Sequence, residues 1–200
     1  MSVKPTTDVY AVRDQVRIEV PFIAQSQSQI EVVSIPTMLD TLNREVLMIQ
    51  EVDFDILGIA YWAAVQLRTN AAIDPAVAYN DGSINLYLTE VDPNIDPSVL
   101  SLSSPHFIAS ARVDSVAGVY TEVDYNPDTG SYQSVAFSNH PLFTTASANL
   151  FLTIAFSYQG NDPSTMTGAA PLIAGDFRAF CQRGVADADT YAAILTGLYA

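Results

Sequence analysis

REVLMIQEVDFDI, residues 44–56, is the stretch of sequence that decides the fold. Hydrophobic and acidic side chains alternate along it, and a period of two places one face of a β-strand on a core and the other in water. The stretch therefore predicts a long, half-buried strand. The residues predicted to face the core are Val46, Met48, Val52, Phe54 and Ile56, and those predicted to face water are Glu45, Glu51, Asp53 and Asp55.

Similar patterns predict strands on both sides of this stretch. Residues 58–68 are apolar on both faces, which is typical of a central strand covered on both sides. Residues 119–125 and 131–137 flank a turn at 126–130, whose Pro and Gly suit a hairpin. The other predicted strands lie at residues 15–22, 30–35, 84–91, 107–113 and 150–158.

The pattern changes after residue 159, because glycines and prolines interrupt residues 160–171. Asp176 is predicted to cap a short helical turn that runs through Cys181. Asp187 or Asp189 is predicted to cap a terminal helix, which docks either on its own sandwich or on a neighbouring subunit. The apolar positions of that helix are Tyr191, Ile194, Leu195, Leu198 and Tyr199.

Eight to ten strands without alternating helices predict an all-β fold, a two-sheet antiparallel sandwich with a short C-terminal helical segment. The Cys…Trp…Cys arrangement of antibody domains is absent, and the long strands and loops favour a jelly roll over an immunoglobulin-like fold. The predicted organisation is an N-terminal arm at residues 1–14, the jelly-roll sandwich at 15–159 and a C-terminal extension at 160–200.

The charge of the chain argues against nucleic-acid binding. One lysine and seven arginines accompany 22 acidic residues, for a net charge of −14 and a pI near 4.1. The basic residues are scattered, whereas a phosphate-binding surface needs them clustered. The longest strongly apolar stretch, residues 56–67, is too short to span a bilayer as a helix, so no transmembrane segment is expected.

No catalytic signature is recognisable in the sequence. Glu51, Asp53 and Asp55 follow one another about 6.8 Å apart along one strand face. That spacing is too wide for one cation unless another strand supplies oxygens, so a solvated face is the simpler interpretation. Acidic residues of the loops do not match the calcium-loop pattern. The loop acids considered are Asp81, Asp92 and Asp96.

The histidines, the cysteine and the tryptophan also have simple structural interpretations. His106 and His140, each beside a proline in a loop, make a poor zinc site without a cysteine partner. Cys181 is the single cysteine and is expected to be a buried small hydrophobe. Trp62 is expected in the core rather than on a sugar-stacking surface. The sequence thus assigns no catalytic, cofactor-binding or metal-binding residue.

Two further segments follow the strand at residues 44–56 in a suggestive order. They are VQLR at 65–68, and HPL at 140–142, which leads into ANLFL at 148–152. The order of these segments along residues 15–158 resembles that of single jelly-roll capsid proteins of small viruses, particularly divergent environmental and archaeal types. The resemblance implies a self-assembling shell subunit without catalysis or cofactor, located in virions that assemble in the host cytoplasm. The implied partners are copies of the same chain and other virion proteins.

The chain departs from that family at its N-terminus. Members often carry a basic arm that neutralises packaged nucleic acid, whereas residues 1–14 hold only Lys4 and Arg13 as basic side chains. Direct contact with the genome is therefore not expected. Because acidic subunits repel one another, assembly is expected to strengthen with salt or divalent cations.

Three alternatives stay open beside the shell subunit. One is a viral spike or decoration protein. Another is a carbohydrate-binding, lectin-like sandwich, which would use exposed aromatic side chains. The third, a sandwich-fold glycosidase, would require two acids at catalytic separation. The tyrosines considered for the lectin-like alternative are Tyr79, Tyr87, Tyr120, Tyr125 and Tyr132.

Overall fold

The structure, a computed structural model, describes residues 3–19, 26–57, 81–116, 119–125, 142–159 and 172–196. Most of these residues lie in strands, and one short helix closes the described part of the chain. The elements are β1 (Val3–Pro5), β2 (Tyr10–Glu19), β3 (Ser26–Pro36), β4 (Glu45–Leu57), β5 (Asp81–Thr89), β6 (Phe107–Val116), β7 (Val119–Tyr125), β8 (Phe143–Thr145), β9 (Asn149–Gln159), β10 (Leu172–Ala186) and the helix α1 (Ala188–Leu195).

Within the described ranges, the strands form two antiparallel sheets of five strands each. In the first, called sheet A, β10 pairs with β4 on one side and with β1 and β2 in succession on the other, and β4 also pairs with β8. The second, called sheet B, has the order β3-β9-β5-β6-β7.

The strand order identifies the fold. β2 pairs with β10, β3 with β9 and β4 with β8, as in one long hairpin whose tip lies at β5 and β6. Rolling that hairpin up brings β10 beside β4 and β9 beside β5, and both of these pairs are present. This is the winding of two Greek keys in a jelly roll, so the predicted all-β, two-sheet jelly-roll sandwich is confirmed.

The core lies between the two sheets. Alternate residues of the long strands β2, β4, β5, β9 and β10 enter it, and the largest of them are completely buried. In sheet B they include Leu86, Leu152 and Ile154, and in sheet A they include Ile18 and Ile49. Because a fully buried Leu or Ile side chain contributes about 1.5–3 kcal/mol relative to an exposed one, this layer is the main source of stability.

The predicted orientation of β4 is correct only in its second half. Val52, Phe54 and Ile56 pack against the core as expected, but in the first half Leu47 and Ile49 enter the core. The cause is a bulge: Ile49 lies opposite Cys181 and Glu51 opposite Phe180, so the intervening Gln50 has no paired residue. An extra residue in one strand reverses the alternation of faces. The residues predicted to face the core but placed on the opposite face of sheet A are Val46 and Met48.

The predicted helical turn from Asp176 through Cys181 is wrong. Both residues lie within β10, a strand of 15 residues that is paired on both edges. Ile173, Phe177 and Cys181 are buried, and pairing with two neighbours satisfies the backbone along this length better than an isolated turn would. The sandwich therefore continues to Ala186, beyond the boundary predicted at residue 159, and sheet A also includes β1 and the start of β2 from the predicted arm.

The predicted terminal helix is present as α1. The Asp187 side chain caps it by accepting a hydrogen bond from Thr190 N at 2.8 Å. Ile194 packs with Val46 and Ala186 in a small second cluster on the outer side of sheet A, so this helix docks on its own chain. The later predicted helical positions, Leu198 and Tyr199, lie outside the described residues.

Several other predictions fall outside the described residues. They are the central strand at 58–68 with Trp62, the hairpin turn at 126–130 with the strand at 131–137, and the irregular connection at 160–171. Within the described ranges, no helix has the length and apolar character required to cross a membrane.

Candidate functional site

One end of the sandwich is formed by three connections between strands. They join β3 to β4, β5 to β6 and β8 to β9, and they meet because Pro36 lies opposite Asn149 while Thr89 lies opposite both Phe107 and Phe151. This surface is called the loop end. Large apolar side chains are exposed on it: Met38 (72%), Leu42 (93%), Ile95 (80%) and Leu102 (45%).

The β3–β4 connection is held in a defined conformation. Asp40 Oδ1 accepts hydrogen bonds from Leu42 N at 3.1 Å and Asn43 N at 3.3 Å. Met38 and Arg44 adopt left-handed backbone angles, with φ of 55° and 56°. Such a conformation costs a non-glycine residue about 1–2 kcal/mol, so the surrounding contacts must maintain it. Leu42 is therefore presented by a loop that is already ordered.

Thr37 anchors the same connection to the rest of the loop end. Its backbone N donates to Ala148 O at 2.9 Å and its hydroxyl donates to Ser147 O at 2.7 Å. Arg183, near the end of β10, donates from Nη2 to Thr37 O at 3.0 Å. These bonds tie the β3–β4 loop to sheet A and to the β8–β9 loop.

In the β5–β6 connection, carboxylates stabilise turns. Asp92 Oδ1 accepts from Asn94 N at 2.9 Å. Asp96 Oδ1 accepts from Ser98 N at 3.0 Å and Ser98 Oγ at 2.7 Å, and these bonds hold the pKa of Asp96 below its usual value. Asp81, the third loop acid considered, begins β5. No group of three or more His, Cys, Asp or Glu side chains in the described ranges is arranged to hold a metal ion.

At the loop end, Glu90 forms hydrogen bonds that join sheet B to sheet A. Its Oε1 lies 2.7 Å from His106 Nδ1 at the other end of the same connection. Its Oε2 accepts a hydrogen bond from the Thr145 hydroxyl, on β8 of sheet A, at 2.5 Å. The Ser147 hydroxyl donates to Glu90 O at 3.1 Å. The structure thus places His106 in a bridge that joins sheet B to sheet A, whereas His140 lies outside the described residues.

The outer face of sheet A carries charged side chains in two rows across three strands. In one row, Gln15 of β2, Asp176 of β10 and Asp55 of β4 lie side by side. In the next row, Arg13, Arg178 and Asp53 occupy the same three strands. The first row is therefore acidic, whereas the second contains both basic residues.

Hydrogen bonds connect neighbouring members of each row. Arg178 donates to Asp53 Oδ2 from Nε at 3.0 Å and from Nη2 at 2.5 Å. Gln15 Nε2 donates to Asp176 Oδ1. An open groove of about 600 Å³ lies between the rows, and both rows line it. Near this groove, partial burial and the negative charge of Asp53 raise the pKa of Glu51, against the opposing effect of Arg178.

The predicted acidic face of β4 is confirmed, but the sequence did not reveal its partners. Glu51, Asp53 and Asp55 share the outer face, where they lie opposite Phe180, Arg178 and Asp176. The sequence pattern instead predicts a helical turn for those three residues. The signal that could have placed them correctly is the alternation along β10, whose core-facing residues include Ile173, Phe177, Ala179 and Cys181.

The remaining candidate residues have varied positions. Cys181 is completely buried, as predicted, and burial raises the pKa of its thiol to about 12. Tyr87 lies on the outward face of β5, opposite Ser110 and Thr153. Among the other tyrosines considered, Tyr120 and Tyr125 belong to β7, while Tyr79 and Tyr132 lie outside the described residues.

No protein-family model and no curated protein matches the chain. Among solved structures, the chain is similar to Merkel cell polyomavirus VP1 in complex with 3'-sialyllactosamine, at 12% identity over 94% of this chain and 99% of that chain, with a TM-score of 0.32. It is also similar to a structure of Desmodium yellow mottle tymovirus, at 10% identity over 92% of this chain and 93% of that chain, with a TM-score of 0.30. These scores carry no functional argument, and the fold assignment rests on the strand order.

Proposed function

We propose that the chain is a self-assembling shell subunit of a virion, of the single jelly-roll type, with no catalytic role. Its partners are copies of itself and other virion proteins, in particles that assemble in the host cytoplasm. The jelly roll also occurs in lectins and enzymes, so the fold alone does not decide among these functions. The observation that carries the proposal is the combination of apolar exposure and ordered backbone at the loop end.

The loop end has the properties of a protein contact surface. Met38, Leu42 and Ile95 are each more than two-thirds exposed, although full burial would stabilise each by about 1.5–3 kcal/mol. Asp40 and Asp96 hold the two loops in place, so binding would require little ordering of the backbone. Apolar side chains on ordered loops are typical of surfaces that become buried in an assembly.

Genome packaging in this proposal does not depend on residues 1–14. Residues 1–14 contain two basic side chains, and sheet A includes most of this segment as β1 and the start of β2. A separate basic protein would neutralise the nucleic acid, or the particle would enclose it without contact from this region.

The test measures assembly of the intact chain. We would determine its mass by size-exclusion chromatography with light scattering in low and high salt, and examine large species by negative-stain microscopy. Closed particles from the wild type, and their loss in the Leu42→Ser/Ile95→Ser variant, are the expected results. Val9→Ser removes another exposed apolar side chain, outside the loop end, and is the matched control.

One result would overturn the shell role, and another would overturn only the role assigned to the loop end. The first is a strictly monomeric wild type in both salts, and glycan binding by that monomer would favour the lectin-like alternative. The second is particle formation that is equally efficient in the Leu42→Ser/Ile95→Ser variant, which would remove the loop end as the basis of the proposal.

A further inference from the structure

The central strand of sheet A has a self-complementary outer face. Its successive positions on that face are Ala174, which is already buried, and Asp176, Arg178 and Phe180, that is, small, acidic, basic and large. Read in the opposite direction, the order is large, basic, acidic and small. When two such strands stack antiparallel, each acidic residue faces a basic one and each aromatic ring faces a small side chain.

We propose that the outer face of sheet A binds the same face of a second copy of this chain, about a two-fold axis that runs along the groove and passes over Phe177. In this arrangement, Asp176 of each copy pairs with Arg178 of the other. The inference rests on the proposed self-assembly and names one of the contacts through which it occurs. A two-fold contact uses the same patch twice, so every favourable pair is made twice.

The direction of the axis follows from the charges. An axis parallel to β10 would place Asp176 on Asp176 and Arg178 on Arg178, and like charges in contact are unfavourable. An axis along the groove, across the strands, instead places the acidic row of one copy over the row that contains both arginines. It also places Phe180 of each copy over the row of Ala174 in the other, where the alanine side chain is already covered by its own chain.

Arg178 is suited to bridging two carboxylates. It uses Nε and Nη2 on Asp53 of its own chain, and a guanidinium carries five N–H donors in a planar fork. Its Cζ also lies 4.9 Å from the centre of the Phe180 ring, which holds the side chain over the sheet. The arginine is therefore already oriented before the second copy binds.

Within the two charged rows, the neighbouring strands add one favourable and one unfavourable pair to each half of the contact. Gln15 faces Arg13 of the second copy, where an amide oxygen can accept from a guanidinium. Asp55 faces Asp53 of the second copy, but the bond to Arg178 offsets the charge of Asp53. The central strand thus determines the pairing, and the flanking strands modify its strength.

The small area that two copies would bury on this face predicts a low affinity between them. Three strands about 4.8 Å apart and four outward rows about 6.8 Å apart give a patch of about 400 Å² on each copy. The total of about 800 Å² is below the roughly 1,200 Å² of stable interfaces. The pair should therefore form at high protein concentration, or within an assembly that has other contacts.

The test is a charge exchange followed by sedimentation equilibrium at low and at moderate salt. The Asp176→Arg variant places two like charges at the contact, and so does Arg178→Asp. We expect each variant alone to dimerise at least tenfold more weakly than the wild type, and an equimolar mixture of the two to recover a heterodimer within about threefold of wild-type affinity. Asp8→Arg makes the same change in net charge as Asp176→Arg, at an exposed position outside sheet A's central strands, and should not weaken dimerisation.

The outcomes separate the contact from the shell function. Wild-type affinity in both single variants, or no recovery in the mixture, would overturn the contact even if closed particles form. Recovery in the mixture supports the contact even if no particle is seen. Circular dichroism spectra and thermal unfolding midpoints of each variant exclude misfolding. Asp176→Arg leaves the Arg178–Asp53 bond in place, so weaker dimerisation of this variant is independent of the loss of that bond.

Discussion

Leu86 of β5 fills the space that a side chain on Gly175 of β10 would need. A Cβ atom added to Gly175 would lie 2.1 Å from Leu86 Cδ2 and 2.9 Å from Leu86 Cδ1. Leu86 is completely buried, so it has little room to move away. The glycine therefore allows sheets A and B to approach at this point.

The Gly175→Ala substitution should destabilise the fold by about 1–3 kcal/mol through overpacking. Urea denaturation of the single variants and of Gly175→Ala/Leu86→Ala measures the effect as a double-mutant cycle. The double variant should lose less stability than the two single variants together, because removing the Leu86 methyl groups makes room for the new Cβ. Additive losses would contradict a direct clash.

Two buried threonines provide a test of the Glu90 bridge. Thr145 and Thr153 are both completely buried in strands, but only Thr145 donates to Glu90, and Thr153 Oγ1 has no hydrogen-bond partner in the described part of the chain. Thr145→Val should cost about 1–3 kcal/mol, because it leaves Oε2 of the largely buried Glu90 carboxylate without its hydroxyl donor. Thr153→Val should be neutral or stabilising, and urea denaturation compares the two. Equal losses would mean that the bridge adds nothing.

Asp55 and Asp176 lie directly opposite each other on β4 and β10. Like charges at such positions destabilise a sheet, whereas an amide in place of one carboxylate removes the repulsion. Asp55→Asn should therefore stabilise the chain by about 0.2–1 kcal/mol, measured by thermal or urea unfolding at neutral pH. Asp8→Asn makes the same change in net charge at an exposed site, and a gain of equal size there would assign the effect to overall charge.

The sequence predicts the strands of this fold better than it predicts their partners. Alternation identified β2, β3, β4, β5, β6, β7 and β9, because each carries enough apolar residues on one face to give a local signal. β10 was missed, since an aspartate after a Gly-rich and Pro-rich segment also matches the start of a helix. Its strand character comes from pairing with β2 and β4, more than 115 residues away in sequence.

The candidate surfaces could be predicted only in part for the same reason. The acidic residues Asp53 and Asp55 were placed correctly on one face of β4, but Arg178 reaches Asp53 through a pairing that no local pattern reveals. The bulge at Gln50 likewise depends on the register between β4 and β10, and it reverses the faces assigned to the first half of β4. Register is a property of two strands, so one strand's sequence cannot determine it.

Glu51 makes stability depend on pH in the mildly acidic range. Partial burial and Asp53 raise its pKa in the folded state above the usual value of 4.5, so folding favours the protonated form. Its contribution to stability is therefore greatest at low pH and is lost as pH rises from about 4.5 through the folded-state pKa. Glu51→Gln should be more stable than the wild type at pH 7, and the difference should shrink towards pH 4. A constant difference in urea denaturation would contradict this cause.

Cys181 makes stability depend on pH in the alkaline range. Its thiol has a pKa of about 12 in the folded state, against an ordinary value of 9.0, because it is buried among apolar side chains. Unfolding exposes a thiol that ionises above pH 9.0, so the wild type should lose stability relative to Cys181→Ala as pH rises from 9.0 towards 12.

The loss of stability should approach about 1.4 kcal/mol per pH unit, the value for one proton. Urea denaturation at several alkaline pH values measures it, and comparison with Cys181→Ala cancels the titration of lysine and tyrosine. The same burial predicts that a disulfide reagent modifies the thiol only as fast as the chain unfolds. Rapid modification of the folded protein at pH 8 would show that the thiol is accessible and would contradict both expectations.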